Sequence, residues 1–276
     1  MFKFFDRDNN TLVLRPDMTP AVARCVAKYF MDDDMPLRLC YLERTFKNNS
    51  SYQGRLKERA EMGAELIGDD SADGDAEMIA MVIDSLKAAG LKEFQVELGQ
   101  VAFYRSLLEE AGFCGEVEEE LNQLVENKND FGVAELLKGQ DIDEGLKQAF
   151  LKLPELFGSL EQIAQARKLT SAPRALAAIE RLEQVHAILK SYGLADYVSF
   201  DLGMLSKYHY YTGIIFKAYT YGTGDYIVTG GRYDKLLVQF GKDTPAVGFA
   251  IVVDQVMAAL SRQQIDTPVT LVNTVI

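Results

Sequence analysis

A chain of 276 residues, 48% hydrophobic and 25% charged, has the length for one large domain or two and the composition of a soluble globular protein. Its formal charge of −12, from 41 acidic against 29 basic residues, excludes a broad nucleic-acid footprint, which needs a basic surface. No apolar run approaches membrane-span length, the opening MFKFFDRDNN lacks the apolar run of a signal peptide, and Cys25, Cys40 and Cys114 are scattered without a CxxC, so a cytoplasmic protein with reduced thiols is expected.

FKFF and TLVL flank Asp8-Asn9-Asn10 and predict a β-hairpin with a polar turn. In the RPDMTP stretch that follows, Thr19 has the chemistry of a helix N-cap and Pro20 that of a first helical residue. Val22, Val26 and Tyr29-Phe30 recur at helical spacing, which predicts a helix from Pro20 to about Phe30. Capping accounts for Thr19 but not for Asp17. That carboxylate, at the mouth of a strand-to-helix turn, is either a turn residue or a holder of an ammonium group.

Leu37–Glu43 reads as a strand, and Lys47–Arg59 as a polar loop, solvated or anion-binding, that carries Lys47, Arg55, Lys57 and Arg59. In AEMGAELIG, alternation puts Met62, Ala64 and Leu66 on one face and Glu61, Gly63 and Glu65 on the other. Two carboxylates with a glycine between them either floor an acidic pocket or face water on a one-sided sheet. GDDSADGDAE imitates a calcium loop, but Ala80 stands where the bidentate Glu is required and Ser71 is a weak ligand. It is read instead as the lead-in to a helix, with Asp73 or Asp75 near the N-terminus, a stripe of Met78-Ile79, Val82-Ile83, Leu86 and Ala89, and a stop at Gly90. Phe94–Leu98 is a further strand.

From Val101 to Tyr192 strand signals give way to amphipathic helices, with turns expected at Gly115, Gly132 and Gly139 and a long helix that ends at Gly193. This segment reads as a helical insertion, with strands resuming at Asp196. His186 lies on or beside an apolar stripe and reads as structural. His209 has no nearby Cys or second His, so no metal site is expected. The stretch Asp201 to Leu260 reads as strand, tight turn, strand, glycine hairpin, strand and helix. Gly230-Gly231 permit close backbone approach, and Tyr210 and Tyr211 point to opposite faces if they share a strand. No nucleophile–base–orienter set, P-loop or dinucleotide fingerprint occurs. The residues themselves thus give an α+β fold with an antiparallel sheet, a helical insertion and a small-ligand pocket, but no reaction.

LRPDMTPAVAR, GRLKERAEMGAELIG, YYTGIIFKAY, GGRYDKLL and PAVGFAIVVDQV occur in the order and spacing of the histidyl-tRNA synthetase catalytic fold, and span nearly the whole chain. The RPDMTP form and the short YYTGIIF strand are most similar to the ATP phosphoribosyltransferase regulatory subunits, a synthetase-like branch of that family. The resemblance implies a class II synthetase-like core over 1–100 and 196–262, a helical insertion over 101–195, and the start of an incomplete C-terminal segment over 263–276. It also implies that a further N-terminal segment, with the motif 1 helix that builds a dimer, is missing.

Departures from the family pattern bear on activity. The resemblance aligns Lys47 with the motif 2 arginine, Asn49 with the motif 2 glutamate, Ser206 with the arginine of the RGLDYY-type motif and Gln255 with the motif 3 arginine. Those arginines stabilise charge on a transferring group, and lysine keeps charge without the bidentate fork. The amino-acid side of the pocket is better preserved. By resemblance, Asp17 and Thr19 meet an α-amino group, and Glu61, Glu65 and Tyr211, with Tyr210 adjacent, meet a histidine side chain. Lys47 or Arg105 would meet its carboxylate. The implied function is a non-catalytic regulatory subunit without cofactor. It would act on the short-form ATP phosphoribosyltransferase catalytic subunit, with L-histidine as effector, self-association in the full-length form, and neither tRNA nor membrane as partner. The alternatives are a diverged enzyme that forms histidyl-adenylate, and a stand-alone histidine sensor.

Overall fold

The described strands form one mixed eight-stranded sheet and a separate two-stranded hairpin. The computed structural model describes residues 1–30, 32–48, 56–205 and 210–267. The expectations for Asn49, Arg55, Ser206, His209 and the C-terminal PVTLVNTVI lie outside these residues.

Strands β1 (Lys3–Phe5) and β2 (Thr11–Val13) form the expected hairpin. Asp6 closes its turn by accepting from the backbone of Asp8 and Asn10. Helix α1 runs Thr19–Tyr29, with Ala23, Val26 and Ala27 buried. Strands β3 (Leu37–Phe46) and β4 (Glu58–Ile67) then pair antiparallel along their full length. The main sheet continues through β5 (Phe94–Gln100), β6 (Phe157–Gly158), β7 (Val198–Asp201), β8 (Ile214–Thr220), β9 (Val228–Arg232) and β10 (Ala246–Val252), in the order β3-β4-β10-β9-β8-β5-β7-β6.

The α+β class holds, and every pair from β3 to β5 in that order is antiparallel. The β5–β7 pair is parallel. Parallel neighbours need a long crossover connection, and the chain between them supplies one: α3 (Val101–Ala111), α4 (Glu116–Glu126), α5 (Asp130–Lys138), α6 (Glu144–Lys152), α7 (Leu160–Ala166) and α8 (Pro173–Ser191). Gly132 does not make the expected turn. It lies inside α5, whose N-cap Asn129 accepts from the Gly132 amide.

Helix α2 (Ala72–Ala88) is capped by Ser71, and its Met78, Ile79, Val82, Ile83 and Leu86 are buried as the stripe predicts, whereas Ala89, also placed in the stripe, is the exposed C-cap. The buried side chains share one apolar cluster with Ala64, Leu66, Val96, Leu98 and Phe216 of the sheet and with Ile179, Leu182 and Val185 of α8. Asp75, fully buried on α2, ties these layers together. It accepts from Arg232 Nε at 2.9 Å and from Arg181 Nε on α8 at 2.7 Å. Helix α9 (Val253–Arg262) follows β10, and its Asp254 accepts from the Ala60 amide at 2.7 Å.

The opposite sheet face carries Glu61, Gly63 and Glu65, with Gly248 opposite Glu65 and Ala250 opposite Gly63. Gly230 and Gly231 lie in the middle of β9 rather than in a hairpin. A Cβ at Gly230 would overlap the Phe216 ring, so the glycine is needed for cross-strand packing.

Candidate functional site: an enclosed acidic and aromatic pocket

Three chain segments converge on the Glu61–Glu65 face. Asp17 and Thr19 arrive from the start of α1. Tyr210 and Tyr211 precede β8, and Tyr233 follows β9. Together with Lys47, Glu61, Thr229, Gly248, Phe249 and Ala250 they line an enclosed cavity of about 20 Å³. That space holds about one water molecule.

Thr19 is not the N-cap. Met18 holds that position without a side-chain hydrogen bond, and the Thr19 hydroxyl donates to Glu65 Oε1 at 3.0 Å. The other Glu65 oxygen accepts from the Tyr233 hydroxyl at 2.5 Å. Asp17 Oδ1 accepts from the Thr19 amide at 3.2 Å, and Oδ2 accepts from the Tyr210 hydroxyl at 2.8 Å. The carboxylate singled out beside the helix start is therefore aimed by two donors. Tyr210 and Tyr211 both line the cavity, with ring centroids 4.8 Å apart. The alternation expected of a strand does not separate them, because Tyr210 sits in a turn before β8 begins.

Burial governs the electrostatics. Glu65 is 1% exposed and its carboxyl is pushed up to about 8 by desolvation, against the opposing hydrogen bonds from Tyr233 and Thr19. It is thus largely protonated at neutral pH until a cation or a further donor arrives. Glu61 is also raised by burial, with Lys47 opposing; Lys47 Nζ lies 3.9 Å from Glu61 Oε1. Burial and the neighbouring Glu65 raise the Tyr233 phenol. Such a set suits an ammonium group and a planar ring with N–H donors. Carboxylates accept, a protonated Glu65 can donate, and tyrosine rings cover an aromatic face.

The structure brings together Asp17, Thr19, Lys47, Glu61, Glu65, Tyr210 and Tyr211. Arg105 does not line the cavity. It sits on α3, where burial and the nearby Arg174 lower its guanidinium. The sequence reading left three contributors unassigned. Tyr233 lies in GGRYD, Gly248 in PAVGF, and Tyr41 on β3 opposite Gly63. A Cβ at Gly248 would overlap Glu65 Oε2, so the glycine makes room for the carboxylate. A Cβ at Gly63 would overlap the Tyr41 phenol. The gap that the glycine opens is therefore filled by Tyr41. The buried Tyr41 hydroxyl has no hydrogen-bond partner among the described residues. An unmet buried donor costs about 1–3 kcal/mol. Alternation within β3 signalled that Tyr41 shares a face with Leu39 and Glu43, but its place over Gly63 needed the β3–β4 register.

Among the described residues no group of three or more His, Cys, Asp or Glu is placed to hold a metal ion, and no helix is long and apolar enough to cross a membrane.

The family model described as histidyl-tRNA synthetase matches residues 1–256. A regulatory subunit of ATP phosphoribosyltransferase from Acetivibrio thermocellus is 43% identical over 266 residues, which is 96% of this chain and 64% of that protein. The same-named protein of Thermoanaerobacter pseudethanolicus is 40% identical over 267 residues, 96% of this chain and 70% of the relative. The chain belongs to the histidyl-tRNA synthetase family, in the branch named ATP phosphoribosyltransferase regulatory subunits. It spans slightly less than two thirds of the length of the Acetivibrio relative.

A crystal structure from Bacillus halodurans, described as an ATP phosphoribosyltransferase regulatory subunit/histidyl-tRNA synthetase, superposes with a TM-score of 0.84 at 37% identity. The match covers 94% of this chain and 68% of that one. The ATP phosphoribosyl transferase (HisG:HisZ) complex of Thermotoga maritima shares the fold, with a TM-score of 0.69 at 21% identity over 91% of this chain and 84% of that one.

Proposed function

We propose that this chain is a non-catalytic regulatory subunit of ATP phosphoribosyltransferase, the first step of histidine biosynthesis. It would be required for the activity of a short-form catalytic subunit and would carry feedback inhibition by histidine. The observation that carries this reading is a pocket built for an amino acid without the cations that activate one. Asp17 and Glu61 line it with three tyrosines, Glu65 is held beside it by Thr19 and Tyr233, and Lys47 is the one cation among the described lining residues.

Adenylation needs positive charge held against phosphates as they transfer. Gln255, aligned by resemblance with a motif 3 arginine, supplies none. The names of the 40–43% identical relatives support the regulatory role, and the Thermotoga maritima HisG:HisZ complex supports a catalytic partner subunit. Histidine acts as an effector only if it binds the active and inhibited assemblies with different affinity. The proposed location is the cytoplasm, where a biosynthetic partner subunit would be met.

The test is phosphoribosyl-ATP formation by a short-form catalytic subunit, with and without this chain, across a histidine titration. Activation that histidine reverses supports the proposal. Catalysis of ATP–pyrophosphate exchange by this chain, with no activation of the transferase, replaces it with the adenylating reading.

A further inference from the structure

The pocket carries a contradiction. Its walls suit an amino acid with a planar ring, yet its cavity of about 20 Å³ is far too small for one. On the same sheet face, the space over Gly63 is taken by Tyr41. On β4, Glu61 and Glu65 flank Gly63, and the Tyr41 phenol lies in the slot above that glycine. Its hydroxyl is buried, meets no partner among the described residues, and sits in the field of Glu65, Asp17 and Glu61. The ring is well packed but its polar end is left unmet. The strand that carries it lies at the edge of the sheet, paired with β4 alone among the described strands. A residue on an edge strand can move without breaking a second ladder.

We propose that Tyr41 gates the pocket. Its phenol holds the slot between Glu61 and Glu65 closed, swings out over the sheet edge when a ligand enters, and yields that slot to the ligand's ring. The gate rests on the proposed histidine site and adds to it an account of admission and of ring selectivity. A planar ring with N–H donors at its edges meets a carboxylate on either side of Gly63 and uses acceptors that the phenol leaves idle. Opening also releases the unmet Tyr41 hydroxyl to water, so ligand entry relieves a defect of the closed form.

Two substitutions act in opposite directions. Tyr41→Ala removes the plug, so histidine associates about tenfold faster and discrimination against other amino acids declines. Tyr41→Phe removes only the unmet hydroxyl, so the closed form gains. Its melting temperature rises and histidine affinity falls about fivefold. Calorimetry and stopped-flow tyrosine emission, undisturbed because the chain has no Trp, read both effects in the intact chain.

Opposed shifts establish the gate. If the wild type binds histidine and both variants bind it more weakly, with no faster association, Tyr41 is a ligand contact and the gate is overturned while the histidine site stands. Binding by Tyr41→Ala alone, with a silent wild type, supports a closed gate. If neither protein binds histidine, the site reading falls and the gate falls with it. Tyr41→Phe retains the ring and its packing, so its kinetics decide the matter even if Tyr41→Ala fails to fold: slower histidine association with unchanged dissociation supports the gate, and unchanged association with faster dissociation makes Tyr41 a ligand contact.

Discussion

The Tyr233 hydroxyl donates to Glu65 Oε2 at 2.5 Å across 168 residues of sequence, and both side chains are about 1% exposed. Together with Thr19 at the other oxygen, this fixes the carboxyl plane beneath the cavity. Tyr233→Phe leaves one oxygen of a buried carboxyl without its donor. The expected loss is about 1–3 kcal/mol of stability in urea titrations, with weaker histidine binding by calorimetry. Unchanged stability would show that the hydrogen bond has no net value.

Glu65 also predicts a pH dependence. Its carboxyl titrates near 8 in the folded chain, against an ordinary value of 4.5. Between these values the folded state holds a proton that the unfolded state has released, so stability falls as pH rises through that window and levels off above it. Burial raises Glu61 in the same direction. His186, lowered by burial, opposes this near its own titration, while Asp69 and Glu77, held low by hydrogen bonds from Ser71 and Arg38, act only in more acidic solution. The difference between wild type and Glu65→Gln isolates the Glu65 contribution. Its slope should be negative from pH 5 to about 8 in denaturant melts. A ring N–H that donates to Glu65 favours its ionised carboxylate, so histidine binding near pH 7 should release a proton, read by calorimetry in buffers of different ionisation enthalpy.

Gly248 tests the fit of that carboxyl to the sheet. A Cβ there overlaps Glu65 Oε2 and comes 2.8 Å from the Ala64 carbonyl, which is backbone and cannot yield. Gly248→Ala should destabilise the chain by about 1–3 kcal/mol and weaken histidine binding at least about tenfold. A methyl group at Gly224 would meet no atom within 4 Å, so Gly224→Ala serves as the silent control, within about 0.5 kcal/mol.

Asp75 tests the link between the sheet and α8. Arg232 and Arg181 both donate to this fully buried carboxylate. Asp75→Asn leaves both guanidinium groups without their common counter-charge, and Arg232 is itself only 5% exposed. The expected cost is about 3–5 kcal/mol in thermal or chemical denaturation. Asp75→Asn combined with Arg181→Ala should cost less than the sum of the two single substitutions.

Local chemistry made much of this chain legible. The period-2 pattern of AEMGAELIG placed Glu61 and Glu65 on one face, and β4 keeps both buried there. The stripe of α2 and the polar turn before β2 required only neighbours in sequence. Thr19 illustrates the opposite case. Its position before Pro20 matches a cap, but a buried carboxyl 46 residues away competes for the hydroxyl and takes it. Arg105 failed as a pocket residue for a related reason, since only the packing of α3 shows which way its side chain lies.

The sequence by itself determined most of the long elements, the alternating faces of β4 and the family, because each depends on periodicity or on ordered motifs within short spans. Only the tertiary structure decided what those faces meet. The β3–β4 register laid Tyr41 over Gly63, the β4–β10 register set Gly248 beneath Glu65, and the long helical crossover made the β5–β7 pair parallel. Register and crossover are fixed by contacts between residues far apart in the chain, whose energies no local pattern records.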